Sequence, residues 1–547
     1  MPKHSHTRHI VLCLLGAATL LAASPASAAT PAVFSIELTP GVNSTFSTGI
    51  LPNSGPNASF FLAGTASGSG VWRTDGTQAG TSRVATTHAG YELLMRGPVL
   101  SGNLAVFAPF FFAPAFDTAP APDVLYVTDG TAAGTKTFAV PARPANTYTV
   151  TWRSIGAVGN RAVFSRQTTT SIKDFGTTTL IRTDGTAAGT VQLSLGAATD
   201  ASAEGTLHDG KLYFVAGTAT GSSLRRTDGT TVEVVDAAGQ GGGVLHACGT
   251  TLFYSIGTYT DAATTWRLRA IVGGSTVTLV ESAEKPYHLT SAACIGNKLL
   301  FSRTTPDAGL EPWISDGTAS GTKLLKDILP GPTGSRTGGD LAMASINGVA
   351  VFQADDVDPA RPTIWVTDGT PAGTRKLGAH GTTAGRWFAT GIIGRRLYLG
   401  KSGASEILWT DGATTGVIPL GGKPWPASNA SWMTSGSRLF GFGSSPATGN
   451  EPWMLDDPDA LLPAPTPPAP TPDGGPGDDP GRVSGADAGA TGSSGGSRGG
   501  DPDADAAGGE SGGCAVRARR SPVTERFAAL AGAVAMVLAV ARRRRRA

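Results

Sequence analysis

A ten-residue phrase recurs along this chain and constrains its fold more than any other feature. Ile181-Arg182-Thr183-Asp184-Gly185-Thr186-Ala187-Ala188-Gly189-Thr190 has near copies at Trp72–Thr81, Tyr126–Thr135, Trp313–Thr322 and Trp365–Thr374. Shorter copies sit at Arg226–Thr230 and Trp409–Gly412, a degenerate one spans Trp266–Gly274, and Glu451–Asp456 keeps only the part ahead of the turn. Apolar and polar residues alternate before the Asp, the pattern of a half-buried strand. Asp-Gly then makes a turn, because Gly takes positive φ cheaply and a carboxylate can accept backbone N–H groups two residues on. The second Gly and the Thr after it return the chain to a new strand. The phrase therefore predicts an antiparallel hairpin at Asp75, Asp129, Asp184, Asp228, Asp316, Asp368 and Asp411, with each Asp as a structural turn residue.

A second signature lies about twenty residues ahead of each turn. It is a Gly-containing turn followed by an aromatic-bearing strand, as in Gly102–Phe107, Gly159–Phe164, Gly210–Phe214, Gly249–Tyr254, Gly296–Phe301, Gly348–Phe352, Gly394–Tyr398 and Gly436–Phe440. Asn57–Phe61 is a less regular first copy. Together the two signatures mark nine units, spaced roughly 43 to 55 residues apart, and each parses into four short strands. Four antiparallel strands repeating at this period are the pattern of a β-propeller blade, so the body is expected to be all-β. Ring closure is expected from the N-terminus. Val33–Gly41 resembles Leu324–Gly331, which follows a turn, whereas the last unit ends on the Trp453 strand without a following strand. A strand supplied from the other end of the chain would remove the open edge. Nine blades, eight blades with one aberrant unit, and two smaller rings all fit this spacing.

Composition agrees with many short strands. Of 547 residues only 15% are charged and 75 are Gly. The net charge is +2, and Arg542–Arg546 alone exceeds it, so the body has no basic surplus to suit nucleic acid. The chain divides into four parts. Residues 1–28 read as a secretory signal: Lys3 and Arg8 precede an apolar run from Ile10 to Ala23, and Ala26-Ser27-Ala28 is a small-residue cleavage site. Residues 29–457 hold the repeats. Residues 458–513, rich in Pro, Gly, Asp and Ser, read as a disordered acidic spacer. Residues 514–547 contain Cys514, an apolar run from Phe527 to Ala541 and the terminal Arg block. That run predicts a C-terminal helix near the lower length limit for spanning a membrane, with the Arg block held on the cytoplasmic side.

Two resemblances follow from these residues. The body resembles the ELWxxDGT repeat family of bacterial exported proteins, the pattern being carried by Glu311-Pro312-Trp313-Ile314-Ser315-Asp316-Gly317-Thr318 and by Glu406-Ile407-Leu408-Trp409-Thr410-Asp411-Gly412. That resemblance implies architecture rather than a particular chemistry. The tail resembles the MYXO-CTERM sorting segment of myxobacterial-type proteins through Gly513-Cys514, the apolar span and the Arg cluster. It implies processing near Cys514 by a membrane-embedded sorting protease of the rhombosortase or myxosortase type. The precursor would be inserted in the inner membrane, and the product anchored at the outer cell surface through a modified Cys514.

Candidate chemistry is sparse. Cys248 and Cys294 hold equivalent places in adjacent units, so a disulfide between neighbours is expected in an oxidising compartment, with two separate buried thiols as the alternative. The repeat body, residues 29–457, contains no Gly-x-Ser-x-Gly elbow, His-Glu-x-x-His or P-loop. Each turn Asp comes with one hydroxyl, far short of the about six to eight oxygens that calcium takes. Asp355, Asp356 and Asp358, in a longer insertion, form the better calcium candidate; no other metal or cofactor is indicated. Trp72, Trp313, Trp365, Trp409 and Trp453 read as packing between blades, with sugar stacking as the alternative. The stretch Phe110–Phe116 is too apolar for an ordinary solvated loop and suits a cover over the ring or a partner contact. The function expected is a non-enzymatic binding or adhesion module for a surface protein or polysaccharide. The alternatives are a glycan-active hydrolase or lyase and a purely structural envelope component.

Overall fold

The computed structural model describes residues 31–461 apart from 37, 39–45, 51–58, 66–67, 87–91, 94–98, 102–103, 108–110, 113–122, 171–175, 197, 202–204, 219–220, 240–243, 260–263, 283–286, 336–342, 357–362, 379–386, 401–403, 405, 421–432, 436–437 and 446–448. The expected signal (1–28), most of the spacer, the sorting residues Gly513 and Cys514, and the C-terminal helix lie outside the described residues. Among those described, no helix is long and apolar enough to cross a membrane.

Nine antiparallel sheets follow one another in chain order, and they account for the nine units. The first comprises Phe46–Ile50, Ser59–Thr65, Gly68–Thr74 and Ser82–Thr86. The next seven span 99–139, 148–193, 198–239, 245–282, 287–324, 344–378 and 388–419. In the fourth, the innermost strand is split into Ala198–Ala201 and Thr206–His208, both paired to Lys211–Thr218. The ninth sheet has Met433–Ser435, Arg438–Ser445 and Gly449–Asp456 from the end of the body, and its fourth strand is Ala32–Ser35. The register Ala32↔Asp456 to Ser35↔Trp453 gives the last unit the strand it lacks. The fold is a β-propeller.

Its core is a ring of nine seams. Successive residues of a strand point to opposite faces, and here both faces are covered. In blade 2, Ala105 and Phe107 pack toward blade 1, while Val106 packs toward Trp152, Ala162 and Phe164 of blade 3. In blade 6, Leu299 and Phe301 face blade 5 and Leu300 faces blade 7. This two-sided burial explains why the second strands read as unbroken apolar runs. The ninth seam brings Ile36, Phe440 and Met454 of blade 9 against Phe61 and Ala63 of blade 1. One ring of nine is therefore formed, rather than eight blades or two rings. The third strands correct the half-buried reading. Thr363–Thr367 is buried from Ile364 to Thr367, and Thr128, Thr183 and Thr367 are all 0% exposed. Their polar positions look like solvent positions in sequence, but the neighbouring blade covers them, and the hydroxyls are used inside the turns.

The predicted interblade aromatics hold. Phe61↔Trp72, Phe107↔Tyr126 and Phe352↔Trp365 are cross-strand partners with stacked rings 5.3 to 6.5 Å apart, the geometry that stabilises sheet pairs. Trp365 belongs to the core between blades 6 and 7, and Trp72, Trp313 and Trp409 lie partly buried against their seams.

Innermost strands touch those of the next blade, as Leu245–Cys248 touches Tyr287–Ile295. There Cys248 and Cys294 are joined in a disulfide, with Cα atoms 5.2 Å apart. It staples the wall of blade 5 to that of blade 6 and closes a loop of sequence separation 46. In the chain-entropy account, a loop of this length stabilises by about 4 kcal/mol. The double variant Cys248→Ser/Cys294→Ser should therefore lose about 3–4 kcal/mol in urea unfolding. A reducing agent should lower the parent to match and leave the double variant unchanged.

Candidate functional site

In a four-stranded antiparallel sheet, the turns between strands 1 and 2 and between 3 and 4 fall at one end. The turns between 2 and 3, and the connectors to the next blade, fall at the other. The repeated Asp-Gly-Thr turns thus share one face of the ring with the Gly turns that precede the aromatic strands. Six positions of the phrase, Thr74, Asp75, Gly76, Thr77, Gly80 and Thr81 in the first copy, have a physical task there. In the first copy, Asp75 Oδ1 accepts from Thr77 N at 2.8 Å and from Thr77 Oγ1 at 2.7 Å. Thr77 Oγ1 in turn accepts from Gly80 N at 2.8 Å. Thr81 Oγ1 donates to Thr77 O at 2.6 Å, so the Thr74 hydroxyl must donate to Thr81 Oγ1, and it accepts from Gly76 N at 2.9 Å. Gly76 has φ 90°, which a side chain would resist. A Cβ on Gly80 would lie 2.0 Å from Asp75 Oδ1.

The same network recurs at Asp129, Asp184, Asp316 and Asp368. Asp228 and Asp411 cap tighter turns. Asp228 Oδ1 accepts from Thr230 N, Thr230 Oγ1 and Thr231 N, and Asp411 Oδ1 from Ala413 N and Thr414 N. Hydrogen bonding from the following Thr hydroxyl, with its backbone N–H, holds Asp75, Asp129, Asp184, Asp228, Asp316 and Asp368 below the usual carboxylate range. At Asp411, burial pushes upward but the amides of Thr414 and Ala413 outweigh it. The turns also grip the preceding blade: Asp75 O accepts from Arg438 Nη1 at 2.7 Å across the closing seam. This face is built for closure.

The opposite face carries the longer connectors, and two carboxylates missed by the sequence reading organise it. Glu311 is 0% exposed. It accepts from Ile328 N, Leu329 N, Ser335 N and Ser335 Oγ at 3.2, 3.0, 2.7 and 2.7 Å. Burial pushes its carboxyl upward against the pull of these four donors. Glu451, also 0% exposed, accepts from Leu38 N at 2.9 Å and holds the chain just beyond the closing strand. Parallel backbone bonds, Leu325 N to Pro312 O and Ile36 N to Pro452 O, confirm the equivalence. The signal for both was present: Glu-Pro-Trp occurs twice, and the chain also carries two Leu-containing segments that end in Pro-Gly, Ile36–Gly41 and Ile328–Gly331.

Of the calcium candidates, Asp355 is 2% exposed and its N–H donates to Ser335 O at 2.8 Å. Asp356 accepts from Thr363 Oγ1 at 3.2 Å and pairs with Lys376. Asp358 lies outside the described residues. Among those described, no group of three or more His, Cys, Asp or Glu is placed to hold a metal ion. Other buried acids are matched by their own seams. Asp236 of blade 4 takes Tyr254 and Arg269 of blade 5, and Asp457 takes Tyr398 and Arg396 of blade 8. Within the apolar stretch of blade 2, Phe111–Phe112 pairs with Glu92–Leu93 as a small extra ribbon on the connector face; Phe110 and 113–116 lie outside the described residues.

No protein-family profile and no curated protein matches the chain. Solved structures do resemble it. A structure described as the eukaryotic initiation factor aligns at TM-score 0.42 and 13% identity, covering 72% of this chain and 91% of that one. The β-propeller domain of the trilobed protease from Pyrococcus furiosus aligns at TM-score 0.33 and 11% identity, covering 61% and 97%. An oligogalacturonate lyase in complex with manganese aligns at TM-score 0.35 and 11% identity, covering 55% and 87%. At such identities the likeness concerns the fold alone.

Two outcomes test the turn geometry. Gly189→Ala drives a Cβ into the Asp184 carboxylate and should cost about 1–3 kcal/mol in chemical unfolding. Asp184→Ala removes only the cap and should cost about 1 kcal/mol. The depressed turn carboxylates stabilise the fold above their ordinary value of 3.8, and that stability is lost as pH falls through their folded values. The thermal midpoint, followed by circular dichroism, should therefore drop steeply below about pH 4. These Asp residues should contribute no slope between about pH 5 and 7.

Proposed function

We propose that the chain is an exported, surface-anchored propeller that works as a non-enzymatic binding or adhesion module. It would engage a protein or polysaccharide partner through the face that carries the connectors. The carrying observation is the difference between the two faces. One is sewn by short repeated turns whose carboxylates are already bonded to their own Thr residues. The other holds the described ends of the blade-to-blade connectors, the Glu311 and Glu451 clamps and the Phe111–Phe112 ribbon. Variable connectors on a rigid scaffold are where binding residues concentrate. The leader, the spacer and the Gly513-Cys514 tail support export and anchoring after cleavage by a membrane-embedded sorting protease. The repeat phrase supports a place among ELWxxDGT-type exported proteins.

The test is retention of the purified chain on envelope proteins and on extracellular polysaccharide from its source cells. Replacing residues 108–122 with a two-residue turn should reduce saturable retention at least tenfold. Asp184→Asn, on the other face, should leave retention within twofold. Equal retention by both variants would sink the assignment of the connector face, and cleavage of the polysaccharide would sink the non-enzymatic reading.

A further inference from the structure

Blade 9 ends differently from the other blades. Six residues after Glu311 and Glu406 stand the turn glycines Gly317 and Gly412, and six residues after Glu451 stands Asp457. Elsewhere the turn glycine faces the residue that opens the second strand of the preceding blade: Gly317 faces Thr251, Gly369 faces Lys298 and Gly412 faces Val349. Asp457 meets the same position of blade 8, Arg396, but brings a carboxylate to it. Arg396 Nη1 donates to Asp457 Oδ1 at 3.0 Å and to Oδ2 at 2.7 Å, and the Tyr398 hydroxyl donates to Oδ2 at 2.5 Å.

Asp457 is 0% exposed, and the chain just beyond it stays docked. Pro458–Leu461, the first residues of the stretch that reads as spacer, form a 3-10 turn in which Ala460 N donates to Asp457 O at 3.2 Å. Ala460 is buried and packs among Ile393, Tyr398, Leu439 and Leu455 of blades 8 and 9. Its carbonyl accepts from Arg395 N at 2.9 Å. The fit is close: a Cβ on Gly394 would lie 2.1 Å from that carbonyl oxygen. The two ties of this plug, at Asp457 and at Ala460, both go to blade 8, although the chain that carries it leaves from blade 9.

What lies next to the plug gives it a use. Asp456 is the terminal partner of Ala32 in the register that closes the ring. Without the plug, a pull on the chain beyond Leu461 would act first on Asp456, and then on the pairs behind it that hold the closing strand. With the plug docked, the pull meets the Asp457–Arg396 pair and the buried Ala460 first. Separating a buried ion pair leaves an uncompensated charge and is strongly unfavourable. A module held by its tail takes its load along this route.

We infer that residues 457–461 are a load-bearing lock, which passes a pull on the C-terminal tail to blade 8 and keeps it off the closing strand. The use of the lock rests on the surface-anchored reading proposed above; its test does not. The full-length chain, carrying Cys13→Ser and Asp307→Cys, is held by thiol handles at Cys514 and at position 307, an exposed place in the turn between the second and third strands of blade 6. The lifetime of the closed ring is read at constant force. Forced opening follows the unfolding rate, so Asp457→Asn and Arg396→Met should each shorten that lifetime about tenfold or more. Asp459→Asn, which removes the same charge outside the clamp, should leave it within about twofold. A second geometry spares the plug: with Cys514→Ser in place of Cys13→Ser, the load runs between Cys13 and position 307, and Asp457→Asn should there match its parent. Shortening in the first geometry alone supports the lock. Unchanged lifetimes, equal shortening in both geometries, or variants unfolded before any load would mark the pair as ordinary support for the fold and overturn the lock. Failure of surface anchoring or of partner binding would sink the earlier reading and leave this result standing.

Discussion

Each blade of this protein is a sheet with apolar side chains on both faces, and such a sheet has no stable existence by itself. Leu299, Leu300 and Phe301 serve two different seams within three residues. Burial of that surface must be shared with a neighbour on each side, and a row of such sheets is complete only when the last meets the first. Ring closure is therefore a requirement of the core. The Ala32–Ser35 strand meets it by pairing with the far end of the body, and the Ile36, Phe61, Phe440 and Met454 cluster fills the seam beside it.

The Asp-Gly-Thr turn is subordinate to that packing, and its chemistry explains its repetition. The residue ahead of each Asp, Thr74, Thr128, Thr183, Ser315 or Thr367, is buried where its hydroxyl has no access to water. The turn satisfies that hydroxyl internally: in the first copy Thr74 donates to Thr81 and Thr81 donates to the Thr77 carbonyl, while Asp75 accepts from the Thr77 amide and hydroxyl, so buried polar groups keep their partners. The second Gly is fixed by a close approach, since the carboxylate occupies the space of its Cβ.

Closure on one face leaves the other to vary. Its connectors are held by buried Glu311 and Glu451, each converting a loop into a fixed part of the rim through backbone amides.

The nine-unit spacing, the strand–turn chemistry and the donated N-terminal strand were determined by the sequence alone, because they follow from local periodicity and from comparing the chain with itself. The capping task of Asp184 was legible for the same reason: its partners lie within a few residues. Tertiary structure decided what depends on the neighbouring blade. Alternating Thr residues read as solvent-facing, yet Thr183 and Thr367 are buried, because periodicity along one strand cannot register the sheet stacked over it. Glu311 stood in plain view beside Trp313, but its donors arrive from a connector up to 24 residues further on. Asp457 meets Arg396 and Tyr398 only because blades 8 and 9 abut. Local hydrogen bonds are written in consecutive residues; contacts across a seam are written only in the closed ring.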